Sequence, residues 1–227
     1  MVALAALATG SVAIVALGVA CGSSSTLRGS GIPVSQGRDL PPFSSFELAG
    51  SNNVTIHVGT KQSVVVHADS NLLDRITTKV RAGRLVVSNT SGSFSTGSPM
   101  IVEISVPSLT ALRLTGSGNI AADGVKTPTM TVALQGSGNV SASGEATRLD
   151  VTLGGSGNAR LAGVAARDVH AVLSGSGTIF VQATNSLRAS ISGSGSGTIF
   201  YLGHPKHLTS TVTGSGTILQ GSDGAGT

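Results

Sequence analysis

The chain has 227 residues and a net charge of +4, with its 14 basic residues scattered along its length, which argues against a nucleic-acid surface, since that needs a concentrated basic patch and aromatic platforms. Hydrophobic residues make up 40%, too many for a disordered chain, and only 11% are charged, fewer than a helix-rich domain carries. What remains is a composition rich in Gly, Ser, Thr, Val and Ala, which suits strands and tight turns.

The first twenty residues, MVALAALATGSVAIVALGVA, carry no charge, and the single cysteine, Cys21, follows at once. An apolar run, small residues and then a lone cysteine resemble a bacterial lipoprotein signal, in which the cysteine is lipidated and becomes the new N-terminus. Residues 17–21, LGVAC, carry that resemblance. Gly18 stands where such signals prefer Leu, and the basic start expected of an export signal is missing. Cys21 has no second cysteine to pair with. Residues 1–21 therefore read as a signal segment, with the rest of the chain extracytoplasmic, in the cell envelope, and anchored to a membrane through lipid. The alternative is a retained membrane helix, since about twenty apolar residues can span a bilayer.

Residues 22–37 read as a flexible linker rich in Gly and Ser. Residues 38–108 read as a β-rich lead-in. Its strand-like runs are SVVVHA (63–68), RLVVSN (84–89) and MIVEISVP (100–107). SNLLDRITTKV between the first two is a short helix or turn followed by a strand, and SGSFSTGSP (91–99) is a loop. FELAGSNNVTI (46–56) is a worn copy of a word that recurs through the second half of the chain.

From residue 109 to 220 the chain is periodic. The words GSGN and GSGT begin at Gly116, Gly136, Gly155, Gly175, Gly195 and Gly214, a spacing of 19 or 20 residues. Such a period marks a solenoid or similar array. Two, four and six residues before each first glycine stand Leu114, Leu112 and Thr110, then Leu134, Val132 and Met130, and so on along the repeats. Polar or small residues alternate with them, the mark of a half-buried strand. After each word Ile120, Val140, Ala159, Ile179, Ile199 and Ile218 form a further inward column. Each repeat is then strand, turn, strand and a short return such as GEATR. Twenty residues cannot build a core alone, so coils must stack at about 4.8 Å. The predicted fold is all-β: a right-handed parallel β-helix with a β-rich N-terminal lead-in and a tail over residues 221–227.

Stacked turns explain the word. Glycine permits φ > 0 and close backbone approach, and serine can bond the turn through its hydroxyl. Asn119, Asn139 and Asn158 are placed to form an amide ladder, continued without charge by Thr178, Thr198 and Thr217. No word contains Asp or Glu, which argues against a calcium-loaded turn array.

These features together resemble the head GIN domain family of putative auto-transporter adhesins. FSSFELAGSNNVTIHVG, LLDRITTKVRAGRLVVSN, VEISVPSLTALRLTGSGN, the repeated words and GHPKHLTSTVTGSGTI carry the resemblance over about residues 38–220. It implies a β-helical fold, an envelope location and no catalytic residues to carry over. Family members often have Asp in the fourth place of the word, where this chain has Asn or Thr.

Candidate sites follow from the repeat. Asp150, His170 and Arg188 occupy one outward column, and an Asp–His pair can orient an imidazole, but no nucleophile lies beside it. Phe180 and Phe200 lie two residues after the turn threonines, point outward and are followed by Leu219 one coil on. Stacked aromatics there could hold a sugar ring or a partner protein, or pack in a cap or subunit contact. His204 and His207 flank Lys206 in a loop without Cys or acids, a poor metal site, and His57 and His67 stand alone in strands. The overall expectation is no enzyme, no cofactor and no metal. The chain reads as an adhesion or binding module on the envelope, with a glycan or surface protein as partner and a homo-oligomer as an open option. A passive spacer is the runner-up, and a polysaccharide-acting β-helix enzyme comes third.

Overall fold

The computed structural model describes residues 26–90 and 92–221. Cys21 and the stretch read as a signal segment lie outside them, as do residues 222–227. The lead-in holds β1 (Leu27–Arg28), β2 (Pro33–Gly37), β3 (Ser45–Ala49), β4 (Asn53–Val58), β5 (Ser63–Asp69), a 3-10 turn at Leu73–Arg75, β6 (Ile76–Arg81), β7 (Arg84–Asn89), β8 (Phe94–Ser95) and β9 (Ile101–Val106). The repeats hold β10 (Ala111–Leu114), β11 (Asn119–Leu134), β12 (Asn139–Leu153), β13 (Asn158–Leu173), β14 (Thr178–Ser192), β15 (Thr198–Leu202), β16 (His207–Thr213) and β17 (Thr217–Gln220).

The architecture is a parallel β-solenoid with two main faces joined at the glycine turns. On one face β7, β3, β10 and the C-terminal halves of β11 to β14 run in parallel register up to β16. On the other, β9, β4 and the N-terminal halves of β11 to β14 lead to β15 and β17. In β11 to β14 the short return between faces is a bend within one long strand. In β11 the register shifts between Ala122 and Val125 around Gly124, whose φ is 69°. A bulge of this kind re-aims the strand without ending its pairing.

The solenoid also starts before residue 109. The worn copy at 46–56 is a full coil, with Phe46 in register with Leu112 and Val54 with Ile120. The level beneath it is made of later chain, β7 and β9, so chain order and stacking order differ there. The bottom is closed by strands that run against the stack: β6 on β7, β5 on β9, and β2 on β5. Residues 33–37, read as linker from sequence, are therefore part of this cap, because Val34 and its neighbours find an unpaired edge on β5.

The inward columns make one continuous core from Phe43 to Tyr201. Met130, Leu134, Leu149, Leu153 and Leu173 are fully buried, and each such side chain contributes about 1.5–3 kcal/mol. Thr110 departs from its expected inward place and is exposed, because Leu109 takes the interior position where the chain enters β10. An amide pair, buried Asn52 with half-buried Asn89, ties the turns of the first two levels: Asn52 Nδ2 donates to Asn89 Oδ1 (3.3 Å) and Asn89 Nδ2 to Asn52 Oδ1 (3.2 Å).

At the turns, the need for glycine is spatial rather than conformational. Of the glycines in the six words only Gly214 has a positive φ. A Cβ on Gly136 or Gly138 would instead run into the carbonyl oxygen of Gly116 or Gly118 one coil below. Ser117, Ser137, Ser156 and Ser176 stand exposed between the glycines, so they face solvent instead of binding the turn.

Candidate functional site

Two outer surfaces carry chemistry. The first lies on the face that precedes the turns. Strand register brings Asp150, His170 and Arg188 into one column, continued by Thr131 below and Thr209 above. The neighbouring column holds Arg148, Asp168 and Ser186. A cleft of about 370 Å³ opens between them, lined by Arg148, Asp168, Val169, His170, Ser186 and Arg188.

The carboxylate in this cleft, Asp168, and its neighbour Asp150 are already engaged. Arg148 Nε donates to both oxygens of Asp150 (3.0 and 2.9 Å), and that carboxylate raises the guanidinium further above its ordinary value. Asp168 accepts from Ser186 Oγ (2.6 Å) and Asn185 Nδ2 (2.8 Å), which hold its carboxyl below the usual carboxylate range. His170 Nδ1 lies 3.8 Å from Asp150 Oδ1, beyond hydrogen-bond reach. The hydroxyl in the cleft, Ser186, is spent on Asp168. The cleft thus lacks the free acid and base that glycoside hydrolysis requires, and its unspent groups are donors on Arg148 and Arg188.

The second surface is on the opposite face. Ala121, Ser141, Arg160, Phe180, Phe200 and Leu219 follow one another in register. The two phenyl rings stack with centroids 5.0 Å apart and planes inclined by 8°. Both are half-buried, and Leu219 is 44% exposed. This stacking covers one face of each ring. The other face of Phe180 is turned along the column toward Arg160 and that of Phe200 toward Leu219, so the column presents an apolar ridge along the solenoid.

Along the turns, Asn119 Nδ2 donates to Asn53 Oδ1 (2.8 Å), Asn139 to Asn119 (2.9 Å) and Asn158 to Asn139 (2.9 Å). Asn53 is a rung that the GSGN word does not reveal, because its own word reads GSNN. Thr178, Thr198 and Thr217 continue the register without amides.

The histidines of the lead-in are not alone, contrary to the sequence reading. His57 Nδ1 contacts Asp123 Oδ1. His67 Nδ1 shares a hydrogen bond with Ser35 Oγ (2.8 Å), and its Nε2 lies 3.3 Å from Glu103 Oε2. Hydroxyl, imidazole and carboxylate in that order suggest a nucleophile and base. However, the adjacent hollow of about 270 Å³ is lined by neither Ser35 nor His67, so this pair does not open into it. His204 and His207 are both exposed. Among the described residues no three metal-ligating side chains gather, and no helix is long and apolar enough to cross a membrane.

The family model described as "Putative auto-transporter adhesin, head GIN domain" matches residues 42–205. Among solved structures, a putative adhesin from Bacteroides fragilis superposes with a TM-score of 0.71 at 21% identity, over 86% of this chain and 99% of that one. A putative lipid binding protein from Parabacteroides distasonis superposes with a TM-score of 0.58 at 22% identity, over 87% of this chain and all of that one. At these identities the likeness is one of fold. No curated protein matches the chain.

Proposed function

The chain belongs to the head GIN domain family of putative auto-transporter adhesins, and from that premise we propose that it is a non-catalytic binding module of the cell envelope, tethered by lipid at Cys21. The observation that carries this reading is the ridge of Phe180, Phe200 and Leu219. Earlier coils put Ala121, Ser141 and Arg160 in the same outward column, so the apolar character is confined to the last three. Exposed apolar rows of this kind serve contacts with other molecules. A continuous apolar ridge ending in an exposed leucine suits the apolar side chains of a surface protein. Two features support the tether. The chain enters the fold through β1 and β2 at the closed end of the solenoid, which leaves the ridge at the far end. A lone cysteine directly after twenty uncharged residues has the chemistry lipidation needs.

The test is binding of the chain from residue 22 onward to whole cells, envelope proteins and glycans, beside a Phe180→Ser/Phe200→Ser variant shown to be folded. Saturable binding that disappears in the variant is expected. Equal binding by both proteins would move the contact off the ridge, and no binding by the wild type would leave a passive spacer. Separately, Cys21→Ala should release the processed protein from the membrane fraction.

A further inference from the structure

The last level of the solenoid is open. β16 repeats β14 one level up, with Leu208 in register with Leu187 and Val212 with Ile191. Leu187 and Ile191 are each 1% exposed, whereas Leu208 and Val212 are 48% and 43% exposed. Register and side-chain direction are the same in both strands. The difference is that no described strand lies above β16. On the other face β17 pairs with β15 alone, so its outer edge is also free among the described residues.

Proteins usually protect such an edge with charge, proline or a bulge. HLTSTVT and TILQ contain no Lys, Arg, Asp, Glu or Pro, and both strands pair without a register shift. At the opposite end the outermost strands β6 and β2 run antiparallel to their neighbours and carry Lys79, Arg81 and Pro33. That edge is protected, so head-to-tail stacking has no matching unprotected edge to use.

We propose that the open end binds the open end of a second copy of this chain, tail to tail. A two-fold axis normal to the two faces continues both sheets, with β16 and β17 each pairing antiparallel to itself. Centred on Ser210, this pairing sets Leu208 of one copy opposite Val212 of the other and closes the interior. No side chain of fixed charge from either strand meets its own copy across the axis. The contact is isologous and stops at two. It also joins the two ridges at Leu219. Each chain enters its fold at the closed end, so the two tethers sit at opposite ends of the joined rod. Copies on facing membranes can then meet through their open ends, a contact separate from the ridge. That last step rests on the tether proposed above; the dimer does not.

The two steps are tested separately. Sedimentation equilibrium of the chain from residue 22 onward should give twice the monomer mass, and a Leu208→Lys/Val212→Lys variant should give the monomer mass with an unchanged strand circular-dichroism spectrum. A single-site Leu208→Asn variant, milder for folding, should weaken the dimer at least tenfold. Phe180→Ser should leave the mass doubled, which separates the dimer from ridge binding. A wild-type monomer, or masses growing beyond two, would overturn the proposal. Vesicles bearing the chain through its N-terminus should cluster with the wild type and stay dispersed with the lysine variant. A solution dimer whose vesicles stay dispersed would overturn the two-surface step and leave the dimer standing.

Discussion

Asn139 accepts from Asn158 and donates to Asn119, so its one amide links three coils through two bonds of 2.9 Å. Each rung donates toward the closed end, down to Asn53. Bonds aligned in one direction polarise one another, and a half-exposed amide bond contributes about 0.5–1.5 kcal/mol net. Asn139→Ala breaks two bonds and should cost about 1–3 kcal/mol. The Thr178 rung makes no amide bond, so Thr178→Ala should cost less than Asn139→Ala. Urea midpoints of the two variants check the order.

Gly138 and Gly154 differ in what an added side chain would meet. A Cβ at Gly138 meets the carbonyl oxygen of Gly118, which is backbone and cannot yield, while one at Gly154 meets only Ser174 Oγ at an ordinary contact distance. Gly138→Ala should therefore cost about 3 kcal/mol, at the upper end of overpacking penalties, and Gly154→Ala less than about 1 kcal/mol. Similar losses at the two sites would show that the turns have room to spread.

Acid should weaken the closed end through Asp69. This buried carboxylate accepts backbone N–H bonds from Gly97 (2.7 Å) and Ser98 (3.4 Å), which hold its pKa below the ordinary aspartate range. A lowered folded pKa means that stability from this group is present above the unfolded-state value and is lost as pH falls through the folded one. Stability should drop on the acid side below about pH 4, and Asp69→Asn should be less stable at neutral pH with a flatter acid limb. Thermal melts from about pH 6 to about pH 2.5 distinguish this from a uniform loss.

The repeats are legible from sequence because two signals agree there: alternation along each strand and a 19- or 20-residue spacing that fixes which residues stack. Asp150, His170 and Arg188, or Phe180, Phe200 and Leu219, could be aligned by counting, and the register follows the count. The lead-in escapes this logic. β7 and β9 stack beneath β3 and β4 although they come later in the chain, and nothing local announces that order. For the same reason Ser35, His67 and Glu103 look unrelated until antiparallel pairing sets their strands side by side. Side-chain geometry was the other hidden layer. Counting put the phenyl rings in one stack, but it could not give their 5.0 Å separation and 8° inclination.

That stacking makes a final prediction possible, because a brace and a contact site respond differently to the same change. A stacked aromatic pair adds about 0.5–1.5 kcal/mol beyond its buried area. A double-mutant cycle on Phe180→Ala and Phe200→Ala should return coupling of that size in unfolding free energy. If the pair only braces the late coils, each single variant loses stability and any binding loss tracks the fraction unfolded. If the ridge is the contact surface, folded single variants lose affinity under conditions where nearly all molecules are native, and Leu219→Ala, which lies outside the stacked pair, loses affinity with little change in stability. Binding measured well below each variant's melting temperature separates the two, and a Leu219→Ala variant that binds as the wild type does would confine the ridge to the phenyl pair.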